Sequence, residues 1–119
     1  MIELDKVSYG FGGTALLSHL SLSLTAGSFH FLTGPSGAGK TTLLRLCYAD
    51  LLAPDGQVRL FGQDAAALDR DAVAMARRRI GVVHQDCAFL DHLTIAENIA
   101  LPLTVSDRAN EAAQNLPEL

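Results

Sequence analysis

One stretch, Thr33-Gly34-Pro35-Ser36-Gly37-Ala38-Gly39-Lys40-Thr41-Thr42, leaves the chain little choice of fold. It fits G-x-x-x-x-G-K-[ST], a phosphate-binding loop that works only between a strand and a helix. The apolar run Phe29 to Leu32 predicts the strand, and Leu43 to Leu52 the helix. Gly34, Gly37 and Gly39 are expected to take positive φ and to let a ligand approach the backbone without a Cβ between them. Successive N–H groups can then converge into an anion nest. The start of the helix adds unpaired donors and partial positive charge. Lys40 supplies a full charge for the outer phosphates. Thr41 offers a hydroxyl to Mg²⁺, a hard ion that prefers oxygen ligands and phosphate. The expected phosphate-binding site is therefore Gly34, Pro35, Ser36, Gly37, Ala38, Gly39, Lys40, Thr41 and Thr42.

The other function classes are narrowed by composition. A length of 119 residues suits one small domain, and 49% apolar residues argue against disorder. A net charge of −4 argues against a nucleic-acid surface. The basic run Arg77-Arg78-Arg79 reads as a solvated helix end. Val7 to Gly39 holds no Asp, Glu, Lys or Arg, yet Gly, Ser, Thr and His interrupt it and no long apolar run forms. Met1-Ile2-Glu3 opens no leader pattern, so a cytosolic setting is expected. Cys47 reads as a core residue and Cys87 as partly exposed, with no metal-type or redox-type spacing between them. His19, His30, His84 and His92 do not cluster.

Along the chain, Ile2 to Val7 predicts a half-buried strand, and Tyr9-Gly10-Phe11-Gly12-Gly13 a turn carrying two aromatics. Leu20 to Thr25 alternates strictly, the pattern of a strand with one wet face. Ala26-Gly27 turns the chain into the strand Ser28 to Thr33. Ala53-Pro54-Asp55-Gly56 is a turn with Pro and Gly in favourable places. Gln57 to Phe61 predicts a strand, Ala65 to Arg79 a helix, and Ile80 to His84 a second core strand ending at Gln85. Thr94-Ile95-Ala96-Glu97 is a capping box whose helix runs to about Leu101, before Pro102. Ser106 is expected to cap a last helix. No internal repeat or linker divides the chain, so residues 1–119 are expected to form part of one domain.

Several stretches together resemble the ATP-binding-cassette (ABC) ATPases. Gly-Pro-Ser-Gly-Ala-Gly-Lys-Thr-Thr-Leu-Leu is similar to that family's Walker A motif. Arg78 to Asp86 resembles its Q-loop, with Gln85 as the glutamine. Leu93-Thr94, Glu97-Asn98 and Ala100 to Leu103 resemble the segment after that loop. Residues 27–34, 41–46 and 89–94 resemble most the cell-division type of ATP-binding subunit, with lipoprotein-release exporters as the alternative. The resemblance implies an α/β P-loop NTPase fold of ABC type: an antiparallel β layer plus the first strands and helices of a parallel core sheet.

It also implies that Thr41 and Gln85 hold Mg²⁺, the latter while sensing the γ-phosphate, that Lys40 neutralises the β- and γ-phosphates, and that Phe11 stacks on adenine. Tyr9 is the rival for that last role, because the spacing to Gly27 departs from the usual by one residue. His84 stands where the family commonly has an aromatic. The implied partners are ATP, a second ATP-binding subunit in a homodimer, and a transmembrane protein of FtsX or permease type at the inner face of the bacterial plasma membrane.

The resemblance reaches about the first half of the family's domain. The sequence has no apolar run ending in Asp-Glu and no Leu-Ser-Gly-Gly. The catalytic glutamate, the second metal-holding aspartate and the switch histidine are therefore not among these residues. The expectation is a chain that binds Mg·ATP and hydrolyses little by itself, with uncovered edges at Phe29 and Phe31. A GTPase would carry Asn-Lys-x-Asp, which is absent. A non-catalytic module that recruits a membrane protein stays open.

Overall fold

A computed structural model describes residues 1–86 and 89–105. The chain divides into two units, residues 1–80 and the segment from Gly81 onward. Cys87 and the helix expected after Ser106 lie outside the described residues.

In the first unit a four-stranded sheet has the order β2-β1-β3-β4. Its strands are β1 (Ile2–Phe11), β2 (Thr14–Leu24), β3 (Asp55–Leu60) and the short β4 (Gln63–Asp64). All pairings are antiparallel. Two strands are longer than the sequence pattern suggests. Tyr9, Gly10 and Phe11 belong to β1, and only Gly12 and Gly13, at φ +57° and +83°, turn the chain. Two consecutive positive φ values match the tight turn whose twist suits a hairpin.

The apolar spacing at Leu4 and Val7 breaks strand alternation, and a bulge explains it. Lys6 has φ +49°, and the β1–β2 register shifts between Leu4 and Val7. The extra residue returns Val7 to the face that Leu4 uses, and both are buried. The amide freed at Lys6 donates to Ser21 Oγ at 3.0 Å. Across the hairpin, His19 at φ +48° donates its amide to Ser8 Oγ at 3.0 Å. Thus Ser8 and Ser21 replace the ladder bonds that each bulge breaks. Gly56 is required where β3 meets this bulge. Its φ is +84°, and a Cβ would lie 2.4 Å from the Lys6 carbonyl oxygen.

Helix α1 (Lys40–Cys47) lays Leu43, Leu46 and Cys47 into the core with Leu4, Val7, Val58 and Leu60 of the sheet. Burying a leucine of this kind is worth about 1.5–3 kcal/mol. The helix stops well short of Leu52. Ala49 takes φ +56°, and the amides of Asp50 and Leu51 return to the Arg45 carbonyl at 2.9 and 3.3 Å. The helix expected over Ala65 to Arg79 is two pieces: a 3₁₀ turn at Ala65–Ala67 and α2 (Arg70–Arg77). Two aspartates cause the break. Asp64 Oδ1 accepts from the Ala66 amide and Asp69 Oδ1 from the Ala72 amide, so each starts its own helix.

The two core strands are the main departure from the sequence pattern. Neither Ser28 to Thr33 nor Ile80 to His84 enters a ladder with the described strands. Only the antiparallel layer of the expected architecture is seen among the described ladders. Phe29 and Phe31 are 80% and 85% exposed and pack edge-to-face on each other, 5.0 Å between centroids.

In the second unit, α3 (Ile95–Val105) begins at the expected capping box. The Thr94 amide donates to Glu97 Oε2 at 2.7 Å, and the Glu97 amide donates to Thr94 Oγ1 at 3.2 Å. The hydrogen bonds from the Thr94 amide and hydroxyl hold the Glu97 carboxyl below its ordinary pKa. The helix runs on through Pro102 instead of ending before it.

Candidate functional site

The loop of residues 33–42 joins the first unit's sheet to its principal helix. A turn sets up the approach: Gly27 has φ +72°, and the Ser28 amide returns to the Thr25 carbonyl at 3.2 Å. Within the loop, Gly37 and Gly39 take φ +79° and +95°. Gly34 does not have a positive φ, contrary to expectation, and a Cβ there would sit 3.4 Å from the Ala38 Cβ, an ordinary contact. Among the loop glycines, positive φ occurs at Gly37 and Gly39.

Gly39 caps α1 in the left-handed region without any side-chain hydrogen bond, and the first turn holds no acidic residue. No carboxylate offsets the partial positive charge there. The Ala38 amide donates to the Pro35 carbonyl at 3.2 Å and closes the loop. Lys40 Nζ donates to the carbonyls of Gly34 and Pro35 at 2.6 and 2.7 Å. Its ammonium is thereby folded back onto its own loop. Pro35, Ser36 and Ala38 are exposed, Thr41 is exposed, and Thr42 is half-buried at the helix start.

Thr41 lies in the first turn of α1, and Gln85 lies in the second unit, exposed. Each side chain is by itself a neutral oxygen donor of the kind a hard cation accepts. Among the described residues no cluster of three or more His, Cys, Asp or Glu could hold a metal. Phe11 is 60% exposed at the end of β1, edge-on to Tyr9 with centroids 5.2 Å apart. Tyr9 packs against the core instead. Of the two rivals, Phe11 is the ring left open to solvent.

The far end of α1 is held by residues whose sequence pattern suggests a solvated run. Arg77 donates from Nε to the Tyr48 carbonyl at 3.0 Å and from Nη2 to the Ala49 carbonyl at 2.7 Å. Asp50 joins Arg45 at 2.6 Å and approaches Arg77 at 3.8 Å. Arg79 lies over the Phe61 ring, 3.7 Å from its centroid. A cation at a helix C-terminus meets both orphan carbonyls and the negative end of the dipole. Sequence offers only a faint signal for this: an arginine ending α2, 28 residues from the carbonyl it caps.

Comparison with known proteins gives consistent results. The family model described as ABC transporter matches residues 17–119. The methionine import ATP-binding protein MetN of Brucella abortus is 42% identical over 107 residues, covering 89% of this chain and 29% of the relative. The cell division ATP-binding protein FtsE of Haemophilus influenzae is 40% identical over 108 residues, covering 89% and 50%. The spermidine/putrescine import ATP-binding protein PotA of Nitrosospira multiformis is 37% identical over 109 residues, covering 92% and 29%. A solved dimeric bacterial ABC transporter cassette superposes with a TM-score of 0.80 at 30% identity, over 96% of this chain and 55% of that one. The same cassette in a post-hydrolysis state bound to ADP and Pi gives 0.79. The chain thus spans half or less of the length of these curated relatives.

Proposed function

The chain belongs to the ABC transporter family, and from that premise we propose that Gly34 to Thr42 grip the triphosphate of Mg·ATP for an ATPase subunit that drives a membrane partner. The observation that carries this reading is the loop itself. Gly37 and Gly39 reverse the backbone, α1 starts uncapped, and the Lys40 ammonium already sits over the loop. Little reorganisation is then needed when phosphate oxygens replace the Gly34 and Pro35 carbonyls as Lys40's partners. Thr41 and Gln85 would hold Mg²⁺, which supplies positive charge to the β- and γ-phosphate oxygens. Phe11 is the side chain proposed to stack on adenine.

The finer reading is a cell-division subunit of the FtsE type, paired with a second copy and docked beneath a membrane protein of FtsX or permease type. It is supported by residues 27–34, 41–46 and 89–94 and by the FtsE relative. Import of a small solute is the second reading, favoured by the similar identity to the methionine and spermidine/putrescine proteins. A place at the cytoplasmic face of the plasma membrane follows from either partner. No helix among the described residues is long and apolar enough to cross a membrane. Hydrolysis by these 119 residues alone is proposed to be slow or nil, because no Asp-Glu pair occurs in the sequence to polarise the attacking water.

Equilibrium binding of labelled Mg·ATP tests the reading. Lys40→Ala is expected to weaken binding by about 1.5–3 kcal/mol, the worth of a hydrogen bond to a charged group. Folded protein that retains no nucleotide at millimolar Mg·ATP, or tight binding that survives Lys40→Ala, overturns it. Co-purification with an FtsX-type partner or with a solute permease separates the two finer readings.

A further inference from the structure

Asn98 uses its whole amide on one short segment. Its Oδ1 accepts the Leu90 amide at 2.8 Å. Its Nδ2 donates to the carbonyls of Leu90, Leu93 and Thr94 at 3.1, 3.3 and 2.9 Å. The partners fix which end is oxygen and which nitrogen: one is an N–H, the others are all carbonyls. With Leu90 the side chain makes the paired N–H and C=O exchange that a neighbouring strand would make. The capping box at Thr94 and Glu97 does not require this residue, since those two satisfy each other. Asn is also a poor choice for a helix interior on propensity alone. Its place on the first turns of α3 is explained by what it holds.

The segment it holds begins at Leu90, five positions after Gln85. We propose that Asn98 is a positioning residue for Gln85. Asn98 staples Leu90–Thr94 to α3, and Leu90 is only five positions from the glutamine in sequence. This inference rests on the reading that Gln85 meets Mg²⁺ and the γ-phosphate. Without the staple, the segment gains freedom that must be lost again each time Gln85 engages. ADP has no γ-phosphate and does not draw on Gln85 in the same way. The staple therefore contributes more to ATP affinity than to ADP affinity, which a purely structural residue would not distinguish.

Two measurements on the same variants test this. The first is amide hydrogen exchange at Leu90 without nucleotide. Asn98→Ala is expected to speed it about tenfold or more, the scale of losing a net hydrogen bond in a cooperative staple. Asn98→Asp keeps the oxygen but lacks the donors and turns a carboxylate on three carbonyls, so it is expected to fail like alanine. Thr94→Ala removes the box and keeps the Asn98 bonds, so Leu90 stays protected and the fold is controlled for. The second is affinity for Mg·ATP and Mg·ADP. Asn98→Ala is expected to weaken ATP about three- to tenfold, the scale of ordering one or two side chains, with ADP weakened less. Equal loss of both nucleotides, no loss of either, or unchanged Leu90 exchange in Asn98→Ala overturns the proposal. Failure of the unsubstituted protein to bind either nucleotide overturns the functional reading and the inference built on it, while Leu90 exchange still reports whether the staple exists.

Discussion

At Gly39 φ is +95°, and an added Cβ would lie 3.0 Å from Leu16 Cγ and 3.2 Å from Leu17 Cδ2. Gly34, five residues earlier in the same motif, has an ordinary φ and room for a methyl group. The two are therefore separable by experiment. Gly39→Ala is expected to lower stability by about 1–3 kcal/mol through left-handed strain and to weaken nucleotide binding. Gly34→Ala is expected to leave the melting temperature nearly unchanged. Equal denaturation midpoints for the two variants would contradict this assignment. Cys47 is a second residue-scale case. Burial pushes its thiol up to about 11, from 9.0. Above pH 9 the unfolded thiol ionises while the folded one does not, so unfolding releases a proton and stability falls as pH rises from 9 to about 11. Urea midpoints across that window should drop in the native sequence and drop less in Cys47→Ala. That Cys47 belongs to the core was legible from its apolar neighbours. That Gly34 needs no positive φ was not, because a motif records which residues occur and not which torsion each adopts.

Helix α1 shows how an element can be announced by sequence at one end and decided elsewhere at the other. Its start follows from Gly39 and Lys40. Its end is set by the left-handed Ala49 and by Arg77, a residue of α2 that serves the Tyr48 and Ala49 carbonyls. Arg77→Ala leaves both carbonyls to water and is expected to cost about 1–2 kcal/mol. Arg77→Lys is expected to recover only part, since an ammonium cannot reproduce the fork of a guanidinium. Chemical denaturation of the three proteins checks the order, and a lysine variant as stable as the native one would remove the fork from the explanation. The strand β1 makes the same point in reverse. The odd spacing of Leu4 and Val7 is visible in the sequence, and its cause is the bulge at Lys6 that Ser21 supports.

For the molecule as a whole, the apolar side chains left outside are informative. Phe29 and Phe31 are 80% and 85% exposed, and Val83 is 94% exposed. Each lies in a stretch that reads as a buried strand, and each is unpaired among the described strands. Exposed apolar backbone of this kind recruits other chains. The protein is expected to bind a hydrophobic dye in its folded state and to associate as concentration rises. The double variant Phe29→Ser with Phe31→Ser is expected to reduce dye fluorescence and association with little loss of stability, because neither ring is in the core. A native protein that stays monomeric and binds no dye would contradict this.

Local chemistry was readable from residue order. The glycine–lysine loop and the Thr94–Glu97 box each satisfy their own backbone within a few residues, so neighbours in sequence suffice to specify them. The tertiary structure alone decided what depends on distant partners. It showed that Arg77 caps a helix 28 residues away and that Phe29 to Leu32, strand-like in composition, pairs with no described strand. A ladder needs a second backbone, and a cap needs a donor in the right place. A stretch of sequence read by itself contains neither.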